Sequence, residues 1–156
     1  WADVHINLGS MYRQRQSGDY SDNLEMSINC NLQALTVYTK KIKPEDWALI
    51  HNNLVNTYLD RINGSKKENI ELAIKSAKLA QEIRTLDRDP TGWARTQNNL
   101  GNSYLIRIEG SRGDNIDIAI AHFKQALQIR IPKKIKVKSL EVICLKNALV
   151  SIKRSY

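Results

Sequence analysis

Residues 93–132 read WARTQNNLGNSYLIRIEGSRGDNIDIAIAHFKQALQIRIP, and an altered version of this text occurs twice earlier in the chain of 156 residues. An offset of 46 superimposes Trp1, Trp47 and Trp93, each followed by alanine, in a protein with only three tryptophans. The same offset aligns Asn7/Asn53/Asn99, Leu8/Leu54/Leu100, Tyr12/Tyr58/Tyr104, Arg15/Arg61/Arg107, Gly18/Gly64/Gly110, Asn23/Asn69/Asn115, Ile28/Ile74/Ile120 and Ala34/Ala80/Ala126. The chain is therefore an array of three units, 1–46, 47–92 and 93–131, followed by a degenerate stretch over 132–156.

Within a unit, Trp47, Ile50, His51, Leu54, Tyr58 and Arg61 recur at steps of three and four residues, which predicts one face of an amphipathic first helix. A polar stretch containing Gly18, Gly64 or Gly110 is expected to end it, glycine being free to take the left-handed conformation. A second helix then begins, with Asn23, Asn69 and Asn115 expected as N-caps and Glu25, Glu71 and Asp117 as acids of its first turn, set against the helix dipole. Its apolar face continues through Ile74, Ala77, Ala80 and Ile83, and in the third unit through Ile120, Phe123, Ala126 and Ile129. Each unit is thus a helical hairpin, and the expected fold class is all-α.

The third unit combines Leu100-Gly101-x-x-Tyr104 with Ala119-x-x-x-Phe123, Ala126 and Pro132, and in this it resembles the tetratricopeptide repeat (TPR). The resemblance covers residues 1 to about 131 and implies a right-handed α-solenoid of three hairpins with a capping helix. The family's period is about 34 residues, so the extra length falls in the turn inside each hairpin and in the connection to the next. Unit one departs from the pattern at Ser27 and Asn31, and unit two replaces the glycine by Val55, which opposite Ala73 should push the helix pair slightly apart or be absorbed by local repacking, the period surviving in either case. Long-period arrays of this kind are similar to bacterial ones found beside caspase-like (CHAT) protease or nucleotide-binding signalling modules, which implies a regulatory segment of a larger protein as one role. The start at Trp1, already inside a unit, fits such a segment.

Composition fits this picture: 42% apolar and 26% charged residues describe a globular chain with a real core. No apolar run approaches the ~20 residues of a membrane span, and no secretory signal opens the chain, so a cytoplasmic location is expected. Cys30 and Cys144 are too few for a disulfide framework and are read as buried thiols. The net charge of +8 is uneven: residues 1–131 hold 17 basic and 15 acidic side chains, and residues 132–156 hold 7 and 1. Contact with nucleic acid or an acidic partner would therefore fall to Lys133, Lys134, Lys136 and Lys138 and the helix read over 133–154. In that helix Val142, Leu145, Leu149 and Ile152 repeat the first-helix spacing at an offset of 45, with Lys146 at the glycine site. It is expected to cap the array, and its wide apolar face makes a homo-oligomer conceivable.

Catalysis needs converging acid, base or nucleophile, and no such set lies outside the repeat pattern, so no enzyme, metal or cofactor is expected. His5 and His51 are equivalent and read as packing residues, and His122 shares a column with Cys30 and Ser76. Asn63-Gly64-Ser65 and Arg112-Gly113-Asp114 match short motifs but read as a turn and a helix start. Arg15, Arg61 and Arg107 sit where a cation steadies the end of the first helix, or where a ladder of them could meet an acidic partner. The resemblance implies that first helices line a groove in which Asn7, Asn53 and Asn99 hold a bound peptide's backbone, an asparagine amide having the donor and the acceptor this needs; the competing reading is that they solvate the groove and hydrogen-bond between repeats. Asp3, Leu49 and Arg95, with Ser10, Asn56 and Asn102, share that face. The expected function is a scaffold that binds a protein or peptide segment.

Overall fold

The structure, a computed structural model, describes residues 1–129, and among these the chain forms six α-helices and no strand. They are α1 (Ala2–Gln14), α2 (Tyr20–Leu35), α3 (Pro44–Asp60), α4 (Lys66–Gln81), α5 (Pro90–Leu105) and α6 (Arg112–Ala126). Pairs α1/α2, α3/α4 and α5/α6 are the three hairpins; α2 packs on α3 and α4 on α5, and the first helices also touch one another, α1 on α3 and α3 on α5. Pro44 and Pro90 open α3 and α5 at a position where the missing N–H costs nothing. Both helices therefore start three residues before their tryptophan, so the unit boundary at 46/47 falls inside the first turn of α3. The helix read over 133–154 and its lysines lie outside the described residues.

The turn inside each hairpin corrects two expectations. Gly18, Gly64 and Gly110 do adopt positive φ, at 81°, 78° and 79°, but they lie four or five residues past the end of the first helix and directly precede the cap of the second. The caps of the second helices are Asp19, Ser65 and Ser111, whose side chains accept the N–H of Asp22, Glu68 and Asp114. Asn23, Asn69 and Asn115 are thus not caps. They sit one turn further in, buried, and their amides donate back across the turn to the carbonyls of Ser17 (3.0 Å), Asn63 (2.9 Å) and Glu109 (2.7 Å). Each asparagine closes the loop that its own turn forms, satisfying carbonyls that would otherwise lose water on burial.

Glu25 and Glu71 likewise lie beyond the first turn, which is occupied by Asp22 and Glu68. They join consecutive hairpins. Arg61 donates through Nε and Nη2 to both carboxylate oxygens of Glu25 (2.7 and 2.8 Å), and Arg107 does the same to Glu71 (2.7 and 3.1 Å). The Arg61 guanidinium holds the Glu25 carboxyl below its ordinary range. The arginine ladder is therefore spent on the preceding hairpin in units two and three, whereas Arg15, among the described residues, donates to the Ser17 hydroxyl (3.0 Å).

Helices within a hairpin meet through residues of compensating size. A Cβ added at Gly101 would lie 2.6 Å from Phe123, and one at Gly9 would lie 2.5 Å from Asn31. The equivalent pair in unit two is Val55 and Ala77, both fully buried. A larger residue on the first helix is matched by a smaller one on the second, so Val55 is absorbed without disturbing the period. Leu54, Leu100, Tyr58 and Tyr104 join one core running through the hairpins. That core is interleaved with a polar layer that the apolar spacing does not announce. Asn52 donates to Thr96 Oγ1 (3.1 Å) and accepts from Asn99 (3.2 Å), while Gln97 Oε1 lies 2.7 Å from His122 Nδ1.

Candidate functional site

The first helices bring one polar cleft together. It lies between α1 and α3, has a volume of about 80 Å3, and is lined by Gly9, Ser10, Arg13, Gln14, Asn53 and Asn56, with Ser27 and Thr57 at its base. Glycine at position 9 holds α1 close to α2 while leaving this wall low, because a side chain there would strike Asn31. Across the cleft Arg13 donates through Nε (3.0 Å) and Nη2 (2.7 Å) to Asp60 Oδ2, tying the last turn of α1 to that of α3. The pair is about one-third exposed on each side, and it leaves Arg13 with its charge matched. The cleft does not present a bare cation, so recognition within it falls to neutral hydrogen-bonding groups.

Its volume decides what can enter. Ligand pockets for metabolite-sized molecules run to roughly 300–1,000 Å3, far more than this cleft offers. It suits one peptide group or the tip of one side chain. Asn53 is half-buried, and its amide makes no hydrogen bond to a described residue; Asn56 donates to the carbonyl of Asn52 (3.2 Å), leaving its oxygen available. Ser10 donates to the Ile6 carbonyl (3.1 Å) and retains its acceptor capacity. Three of the nine groove residues named from sequence therefore line this one cleft.

The other six are spread over different environments. Asn7 is exposed on α1, and Asn99 is buried with its amide nitrogen on Asn52, so the three asparagines are equivalent in sequence but pass from solvent to seam along the array. Asp3 accepts from the Tyr38 hydroxyl (2.9 Å), a contact that fastens the first helix to the connection leaving its own hairpin. Leu49 packs half-buried against the core, Asn102 is half-buried, and Arg95 is exposed. Asp60 belongs to the same repeat face as Leu49, Asn53 and Asn56, whereas Arg13 stands outside it; the sequence signal for Arg13 is a charge opposite to that of Asp60, 47 residues later and one residue more than the period.

The histidines serve packing. His51 lies beneath Trp47, ring centroids 4.4 Å apart, and its burial pushes its pKa down to about 4. His122 stacks on Tyr104 at 5.7 Å. Cys30 is buried, which raises its thiol pKa and leaves it a poor nucleophile. Among the described residues no three His, Cys, Asp or Glu side chains converge on a metal position, and no helix is long and apolar enough to cross a membrane. The chain matches no protein-family model, no curated protein and no solved structure.

Proposed function

We propose that this chain is a cytoplasmic protein–protein interaction scaffold: a TPR-like solenoid whose first helices hold an extended segment of a partner protein. The observation that carries the reading is Asn53, half-buried at the wall of the α1–α3 cleft with an amide that no described residue satisfies. A half-buried amide loses part of its hydration, so a ligand offering a peptide N–H and C=O restores hydrogen bonds that solvent supplies only from one side. Asn56 and Ser10 add an acceptor each within the same cleft. The mechanism is presentation of a surface, with no turnover. Selectivity comes from what flanks the cleft, the exposed Asp3 and Arg95 and the partly exposed Leu49.

Panning a random peptide display library on the intact chain tests this. Peptides enriched on the wild type should lose affinity roughly tenfold for each hydrogen-bonding residue removed, Asn53→Ala and Asn56→Ala, with the fold unchanged by circular dichroism. Enrichment that ignores both substitutions would overturn the assignment. A second reading rests on the six net positive charges of residues 132–156, which suit nucleic acid or an acidic partner. Salt separates the two, since phosphate contacts weaken steeply between low and moderate ionic strength.

A further inference from the structure

The hydroxyl protons of the α1–α3 cleft are already placed, and this restricts what the cleft can bind. Ser10 donates its proton to the Ile6 carbonyl (3.1 Å), and Thr57 donates its own to the Asn53 carbonyl (3.0 Å). A hydroxyl has one proton, so in the contact between Ser27 Oγ and Thr57 Oγ1 (3.3 Å) the donor is Ser27. Asn56 gives one amide proton to the Asn52 carbonyl (3.2 Å) and keeps its Oδ1. The lining therefore offers three oxygens with lone pairs and no hydroxyl proton to spare: Ser10 Oγ, Ser27 Oγ and Asn56 Oδ1. The set is particular to this junction. At the equivalent positions between α3 and α5 stand Val55 for Gly9, Ala73 for Ser27 and Leu59 for Arg13, and Asn99, the counterpart of Asn53, is spent on Asn52.

We infer that, within the partner segment that the first helices hold on the reading above, the cleft takes the side-chain carboxamide of an asparagine or glutamine. Size sets the first limit: one water needs roughly 10–15 Å3 of cavity, so about 80 Å3 admits a group of a few heavy atoms. Proton supply sets the second. A carboxylate has no proton to give and would meet the three oxygens lone pair against lone pair. An ammonium or guanidinium has protons, but it would give up water beside the Arg13 guanidinium, whose Asp60 partner is already engaged by two of its N–H groups. A hydroxyl brings one proton to three acceptors. A carboxamide is neutral and brings two, and its oxygen can accept the second amide proton of Asn56, which leaves Asn53 to the partner's backbone.

Peptide display on the intact chain, followed by fluorescence anisotropy of the recovered peptides, gives the test. Enriched peptides should share one asparagine or glutamine, and its exchange for aspartate or glutamate should weaken binding by about tenfold or more, because the acid leaves the cleft oxygens unpaired. Ser10→Ala and Ser27→Ala, the second reproducing the Ala73 of unit two, should each lower that preference by about threefold or more, with the helical circular dichroism unchanged. Two results would overturn the carboxamide site and leave peptide binding standing: enriched peptides that share another residue type there or none, and a carboxamide preference that neither serine variant lowers. Recovery of no peptide at all would remove the groove reading, and the carboxamide site with it.

Discussion

Replacing Gly101 by valine should destabilise the protein when Phe123 is present and stabilise it when Phe123 is alanine. The first sign follows from distance: a Cβ at position 101 would stand 2.6 to 2.8 Å from three ring carbons of Phe123, whereas relaxed carbon contacts lie near 3.5–4.0 Å. The ring or the helix must move by about 1 Å, and overpacking of this kind costs about 1–3 kcal/mol, less a few tenths for the better helix propensity of valine over glycine. Phe123→Ala alone should cost about 2–3 kcal/mol, below the value for a fully enclosed ring because Phe123 is only half-buried. In that background the introduced valine faces the space the ring has left, as Val55 faces Ala77, and each methyl it buries returns roughly 0.8 kcal/mol. The four-member cycle should therefore show a coupling near 2–3 kcal/mol, at the upper end for residues in contact. Urea transitions followed by circular dichroism, with equal m values, would measure it. Additivity within about half a kcal/mol would refute the claim that glycine and phenylalanine are one size-matched pair.

Equivalent leucines should differ by position: Leu100→Ala, fully buried, should cost about 2–5 kcal/mol and Leu8→Ala, 41% exposed, less than about 1 kcal/mol in dilute protein, both read from urea midpoints. A loss below about half a kcal/mol at Leu100 would contradict the assigned helix face. Acid should unfold the chain partly through His51, whose pKa falls from an ordinary 6.5 to about 4 because burial disfavours the imidazolium. The unfolded chain binds the extra proton between those values, so stability should drop as pH falls from 6.5 to 4, by about 3 kcal/mol at most, and level off below. His51→Gln should flatten that slope; an unchanged slope would assign the acid sensitivity elsewhere. Asn69→Ala, which strips the turn of its clamp on the Asn63 carbonyl, should cost about 1–3 kcal/mol and exceed the roughly 1 kcal/mol of Ser65→Ala. The reverse order in thermal melts would restore Asn69 to a capping role.

The hairpins are legible in the sequence because the apolar steps of three and four and the recurring glycines are local signals. The residues that bind one turn or one hairpin to another are visible there too, but their partners are not. Asn23, Asn69 and Asn115 recur unchanged, and asparagine caps well, whereas the true cap column changes from Asp19 to Ser65 and Ser111 and so hides in the repeat. An invariant asparagine beside a variable cap is the available clue. Glu25 and Glu71 invite a reading against the helix dipole because their arginines stand 36 residues later, a separation that no helix-local rule inspects. The polar layer is invisible for the same reason: Asn52 is useful only opposite Thr96 and Asn99. For the candidate site, the sequence pattern names Ser10, Asn53 and Asn56, which line one cleft, but treats Asn7 and Asn99 as copies of Asn53. Periodicity assigns residue types to a column; it carries no information about how each copy is buried, so that Asn7 is exposed where Asn99 is enclosed against Asn52.

The binding account turns on the free amide of Asn53. Its most direct measurement is a titration of the side-chain NH2 resonances of the asparagines with a peptide recovered from display, followed by heteronuclear NMR. The account predicts that Asn53 and Asn56 shift together and saturably, while Asn23 and Asn69, engaged in their turns, remain still. Shifts confined to the turn asparagines or to the second helices, with Asn53 unmoved at saturation, would contradict it.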